Sequence, residues 1–330
     1  MTVYFDTANL ETLLLNKEHA SYAETIKMLR SEVGVAVNCT PQEAYANALL
    51  RPFVMQMTSG QRNTPRIKFP VPAYPDRPIS PTFYSLPHAQ QRPVVFAAGD
   101  ELSTCKAAGT FLVGQVGEEL EELGRLHRGV AGKYVELLTV GSGKGEFASW
   151  SQLTPYVLPF HDLILHDRYL LRQSWACRHN YPQLLEALMK GRKGKVNIVL
   201  LTLEPEKDNA DPVGYEELRR LTHEVVTAAT GEAPNFTLVL GETLDDVGHD
   251  RHIFTNYQWF DSRDSLTYFK SNDDLKSKSD TLTIHSLADN DIRKHVDKIL
   301  QRIQQRIHVL LAEVPHLIEG NRASSFLNLK

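Results

Sequence analysis

Cysteine is scarce. The 330 residues hold three, Cys39, Cys105 and Cys177, widely spaced and without a C-x-x-C pair, which argues against a disulfide framework or a cysteine-built zinc site and points to a reducing, cytoplasmic compartment. Long apolar runs are lacking as well: no stretch approaches the roughly 18–20 residues that cross a bilayer. The amino terminus, MTVYFDTANLETLLL, has no basic n-region and sets Asp6 and Glu11 among its apolar residues, so it does not read as a secretory signal. A charge excess of either sign is missing too. With 36 Lys+Arg against 40 Asp+Glu, the net charge of −4 opposes a surface that is one continuous nucleic-acid or membrane footprint, while leaving room for a local basic patch. No G-x-S-x-G elbow, dinucleotide-binding glycine fingerprint or H-E-x-x-H pair occurs, which disfavours serine-hydrolase, oxidoreductase and zinc-protease readings. The GSGKGE run at 141–146 lacks the spacing that wraps a P-loop around phosphate and reads as a turn.

What is present is an alternation of strand-like and helical segments. VYFDTANL reads as a short strand region, SYAETIKMLRSE (21–32) as a helix, VAVNCT as a second strand, and PQEAYANALL as a helix with Thr40 as N-cap, Pro41 at its first position and Glu43 at its third. From Tyr156 onward the pattern repeats. YVLPFHDLILHDRYLL, KVNIVLLTL and NFTLVLGETL read as strands, NYPQLLEALMKG and GYEELRRLTHEVVTAAT as helices, and HDRHIFTNYQWF and SLTYFK as the closing strands. Strands alternating with helices imply a central sheet flanked by helices, hence an α/β fold, and the chain length allows two domains. The expected division is 1–150, 151–285 and a tail at 286–330, in which apolar residues recur at i, i+3, i+4 and i+7 over 291–314. That amphipathic helix would dock on its own sheet or serve a protein partner or a homodimer.

Between 58 and 93 the periodicity stops. Eight prolines (Pro65, Pro70, Pro72, Pro75, Pro78, Pro81, Pro87 and Pro93) exclude helix and central strand there. This stretch carries Arg62, Arg66, Lys68, Arg77 and Arg92 against one acid, Asp76, interleaved with Phe69, Tyr74, Phe83 and Tyr84. The local charge is five minus one, or +4, which leaves −8 on the rest of the chain. Basic residues with aromatics suit a single-stranded nucleic acid or a partner groove; an extended arm lying on the protein's own surface is the alternative.

The sharpest motif is a repeated tripeptide, His166-Asp167-Arg168 and His249-Asp250-Arg251. On a strand, alternate residues share a face, which would place His249 with Arg251 and His166 with Arg168. A guanidinium fork beside a histidine suits phosphate oxygens, with the histidine as donor or nucleophile. Asp167 and Asp250 could instead pair with arginines inside the fold. The stretch GHDRHIFTNYQWFDSRDSLTYF resembles the HDR strand and following turn of the MIT C-terminal domain family, a branch of the phospholipase D-like fold, and the order of elements over roughly 155–270 is similar to a single such module. Laid on that superfamily's H-x-K-x4-D signature, His249 takes the histidine place, Arg251 the lysine place and Asn256 the aspartate place, while DSRDS stands for the serine-containing turn. The resemblance implies an α/β sandwich that binds phosphate through His249, Arg251 and Asn256, with His166 and Arg168 repeating the spacing. With Arg and Asn in two signature places, it implies a degenerate binding module rather than a working phosphodiesterase. Single-motif relatives build one site from two subunits, which keeps open a dimeric phosphodiesterase using His249.

The amino-terminal half resembles PIN-like nuclease domains through Asp6, at the end of the first strand, and Glu43, in the helix after the second. That resemblance implies an acid cluster holding Mg²⁺ or Mn²⁺, with a third acid from Asp100, or from Glu101 or Glu118. The expectation is thus an α/β protein with a PIN-like amino-terminal domain, a phospholipase D-like carboxy-terminal domain and a terminal helix. Its role would be phosphate-directed recognition, chiefly of nucleic acid, in a prokaryotic defence or nucleic-acid processing complex; if it is an enzyme, it would be a nuclease or phosphodiesterase.

Overall fold

The computed structural model describes residues 2–31, 33–59, 67–69, 94–96, 111–112, 135–141, 146–192, 194–205, 211–241, 251–269, 281–324 and 327. His249, Asp250, Asp100, Glu101, Glu118 and, in the basic arm, Arg62, Arg66, Arg77 and Arg92 lie outside them. The fold is mixed α/β, in two compact units: Met1–Tyr134 with Ser286–Arg293, and Val135–His285 with Lys294–Lys330. The division falls at 134/135 rather than at 150, because Val135–Thr139 pairs with a strand of the second unit.

In the first unit, β1 (Thr2–Phe5), β2 (Gly34–Val37), β3 (Ile67–Lys68), β4 (Val94–Phe96) and β5 (Phe111–Leu112) form a sheet in the order β3-β2-β1-β4-β5, each pair parallel. Val3, Tyr4 and Phe5 are buried in succession, as expected for a strand covered on both faces. The strand stops at Phe5 because Asp6 caps a helix, α1 (Thr7–Leu15), which the sequence pattern did not reveal; its Oδ1 accepts the Asn9 N–H at 2.7 Å. Two further helices follow in chain order: α2 (Ala20–Ser31), then, after β2, α3 (Pro41–Ala46) with the full capping box that Thr40 and Glu43 predict. α4 (Leu50–Thr58) completes the helices described in this unit.

The second unit has a mixed sheet in the order β13-β9-β8-β7-β10-β11-β12-β6. Its strands are β6 (Val135–Thr139), β7 (Asp162–Asp167), β8 (Asn197–Leu203), β9 (Asn235–Gly241), β10 (Arg251–Thr255), β11 (Gln258–Ser262), β12 (Thr281–Ser286) and β13 (Ile318–Gly320). β7, β8 and β9 are parallel and are joined through α5 (Ser174–Met189) and α6 (Tyr215–Thr230), whereas β10 returns antiparallel on the far side of β7. α5 and α6 close over one face, where Leu184, Leu185, Leu218 and Val226 join Leu163, Leu165, Ile198, Leu200, Ile253 and Phe260 in one core. Ile164, Val199, Leu201, Val239 and Phe254 alternate with them on the other face and are buried too.

Two strand expectations change. HDRHIFTNYQWF is not one strand, because Asn256-Tyr257 turns the chain into the β10–β11 hairpin. SLTYFK is not a strand either: Leu266, Tyr268 and Phe269 are buried, and their backbone is held by side chains rather than by a ladder. The terminal helix, α7 (Asn290–Glu313), forms as expected. Its stripe of Val296, Ile299, Leu300, Ile303, Ile307 and Leu310 is buried within the chain, and the His295 ring lies 5.4 Å from Trp259 of β11. Little of that stripe is left for a partner. No helix among the described residues is long and apolar enough to cross a membrane.

Asn180 on α5 joins three parts of this unit. Its Oδ1 accepts from Trp150 Nε1 at 3.0 Å and from the Phe269 N–H at 2.9 Å, while Nδ2 donates to the carbonyls of Ala176 and Phe269. An Asn180→Ala variant leaves two buried donors without acceptors and should lose about 2–4 kcal/mol of stability, seen as a lower urea midpoint at unchanged slope.

Candidate functional site

The carboxyl end of β7 is where the chain order reverses: β8 and β9 build outward on one side, and β10 comes back on the other. In open α/β sheets such a reversal leaves a crevice at the strand ends that is suited to ligands. The register sets Asp167 opposite Arg251 and His166 opposite His252. Asp167 is fully buried. Its Oδ2 accepts from Ser265 Oγ at 2.8 Å and from the Leu266 N–H at 2.7 Å, and its Oδ1 accepts the Tyr169 N–H at 3.0 Å. Burial pushes this carboxyl above the ordinary aspartate range, against the pull of the three hydrogen bonds and of the Arg251 charge.

Immediately beyond Asp167 the chain leaves the sheet through Arg168-Tyr169-Leu170-Leu171-Arg172, with Leu170 and Leu171 buried as anchors. The Tyr169 ring is the meeting point. The guanidinium carbons of Arg168, Arg251 and Arg172 lie 4.7, 5.2 and 5.6 Å from its centroid, within cation–π range. The Arg168 carbonyl accepts the Leu203 N–H at the end of β8, and Arg251 Nη1 donates to the Arg263 carbonyl in the D-S-R-D-S turn. That turn is therefore held by Asp167 and Arg251 together. α5 begins just after, at Ser174, and Gln173 gives it no side-chain cap, so the positive end of the helix adds to the field here.

The residues expected to bind phosphate do not all meet. Arg251 and Arg168 come together at Tyr169. His166 alternates to the other face of β7, where its ring lies 6.0 Å from that of His252; the strand ends before Arg168, so the shared face expected of the pair does not exist. Asn256 lies at the opposite end of β10, about 17 Å from Arg251 at some 3.3 Å per residue. Its Oδ1 accepts the N–H groups of His161 and Asp162 at 2.8 and 2.9 Å, bracing the start of β7. His249 falls outside the described residues. Ser265 enters from the D-S-R-D-S turn, while Tyr169 and Arg172 join the site without having been singled out; the run of two arginines around a tyrosine just after a buried strand was the available signal.

In the first unit, Asp6 is buried at the carboxyl end of β1, beside the reversal between β1 and β4, and gives both oxygens to Asn9. The Glu43 carboxylate is taken by the Thr40 N–H and Oγ1, which hold its pKa below the ordinary glutamate value. Among the described residues no three His, Cys, Asp or Glu side chains group to hold a metal, so these acids do not by themselves fit a Mg²⁺ or Mn²⁺ site. The chain matches no family model and no curated protein.

Asp167→Ala removes the acceptor of Ser265 Oγ and Leu266 N–H and the charge facing Arg251, and is expected to cost about 3–5 kcal/mol. The pH response has a definite sign. With its folded pKa raised above the reference 3.8, Asp167 contributes stability below that value and loses it as the pH rises through the folded pKa. Urea midpoints of wild type should therefore fall relative to Asp167→Asn, which does not titrate, as the pH rises from about 4.

Proposed function

We propose that the second unit is a phosphate-recognition module of the degenerate phospholipase D-like kind, directed at nucleic acid. The observation that carries this reading is the convergence of Arg168, Arg172 and Arg251 on one tyrosine at the sheet's reversal point. Arg168 is buried, whereas Arg172 is exposed and Arg251 half-buried, and guanidinium groups that reach the surface match phosphate oxygens through paired hydrogen bonds. The carboxylate in the cluster, Asp167, is spent on Ser265, Leu266 and Tyr169, and so acts as scaffold. The distance of Asn256 from Arg251 supports binding over hydrolysis, because the third place of the catalytic signature is occupied elsewhere. The setting is a cytoplasmic nucleic-acid processing or defence complex, in which Cys39 and Cys177, both free, remain thiols.

A metal-dependent nuclease in a PIN-like first unit is the second reading. It is favoured by one observation, a buried aspartate at the reversal of an all-parallel sheet.

Fluorescence anisotropy with labelled single- and double-stranded DNA and RNA, in Mg²⁺, Mn²⁺ or chelator, tests both readings. Binding without cleavage, weakening steeply with salt, is expected. Arg172→Ala, at an exposed position, and Arg251→Ala should each weaken binding about tenfold and lower the slope of log affinity against log salt by about 1. Absence of binding in every condition overturns the recognition reading. Chelator-sensitive cleavage lost in Asp6→Asn establishes the nuclease instead, and chelator-resistant cleavage lost in His249→Ala establishes a phosphodiesterase.

A further inference from the structure

We propose that Trp175 is a base-stacking platform beside the arginine cluster, so that the ligand is an unpaired nucleic-acid strand rather than a duplex. The inference rests on the phosphate-recognition reading and narrows it. α5 buries Ser174, Cys177, Tyr181, Leu184 and Leu188 on one side. Trp175 falls off that side and is 46% exposed, whereas Trp150 and Trp259 are buried. It stands three residues after Arg172, in the first turn of the helix that leaves the Arg168–Arg172 connection.

The surroundings fix it there. Leu170 and Leu171 pin the preceding connection into the core. One turn along α5, Arg178 is clamped by Glu217, at 2.7 Å from Nε and 2.9 Å from Nη2, and by Asp211. The helix end that presents the indole is therefore tied to α6 and to the preceding core, not left to swing.

One short segment thus carries Arg172, exposed, for the backbone and, three residues on, an exposed aromatic face for a base. That combination binds single strands with little regard to sequence, since every base has a π-face. In a duplex the bases are stacked on one another and give an exposed indole nothing to meet; only the phosphates remain.

The test uses the full chain with a labelled oligothymidine, a matching duplex, an abasic strand of the same length and anionic phosphatidylserine vesicles. Oligothymidine should bind at least tenfold more tightly than the abasic strand and should quench tryptophan emission. Trp175→Ala should weaken oligothymidine binding about tenfold or more and abolish the quenching, while leaving duplex and abasic binding unchanged; Trp175→Phe should keep most of the affinity. Equal binding of oligothymidine and the abasic strand, or unaltered oligothymidine binding by Trp175→Ala, overturns this inference and leaves the arginine reading standing. Quenching by vesicles alone overturns it in favour of a membrane surface. If neither strand nor duplex binds, the recognition reading falls with it.

Discussion

The buried carboxylate of Asp167 is the constraint on which the second unit's candidate site depends. An ionisable group removed from water must be supplied with donors, and Asp167 takes them from three places: its own chain two residues on, a serine hydroxyl and a backbone amide 98 and 99 residues away. Each bond fixes something the site uses. The Tyr169 bond turns the chain out of β7 so that the ring stands at the strand end. The Ser265 and Leu266 bonds draw in the D-S-R-D-S turn, whose Arg263 carbonyl in turn holds Arg251. Without the carboxylate, the three guanidinium groups would have no common frame.

Much of the architecture was legible in the sequence, because it is local. Thr40, Pro41 and Glu43 specify a helix start through contacts within four residues, and the apolar spacing of 291–314 specifies α7. The misreadings share a cause. Thr7–Leu10 looked like a continuation of the first strand region, and only the bond of Asp6 to Asn9 shows that a helix begins there. HIFTNYQWF reads as one apolar run until Asn256 spends its carbonyl oxygen on the His161 and Asp162 amides and turns the chain. SLTYFK has strand composition, but its backbone bonds run to Asp167 and Asn180, partners that no window around it contains.

The site was legible in the same partial way. The repeated H-D-R triplet touches two strands that pair, and its two arginines do meet. The two-residue alternation used to group the side chains holds only while the strand lasts, and β7 ends at Asp167. Arg168 therefore leaves the face of His166 and joins Arg251 from a turn. Tyr169, Arg172 and Trp175 carry no motif; their place follows from the antiparallel return of β10, which is a pairing across more than eighty residues.

Both sheets reverse their chain order beside a strand that ends in a buried aspartate, Asp6 in the first unit and Asp167 in the second. The two carboxylates have a similar fate. Asp6 turns its oxygens to Asn9 and starts α1, and Asp167 turns its oxygens inward to the 265–266 turn and Tyr169. An acid that is to hold a metal or attack a substrate must keep an oxygen directed at the crevice, and in both units these oxygens accept from neighbouring backbone and side-chain donors. What the second unit gathers at that strand end is cationic and aromatic: Arg172, exposed, Arg251 and Tyr169, half-buried, and Arg168, buried. Three arginines grouped on one tyrosine, beside a carboxylate spent on scaffolding, support the proposed phosphate reading, and the chemistry of receiving a phosphate is separate from the chemistry of cutting one.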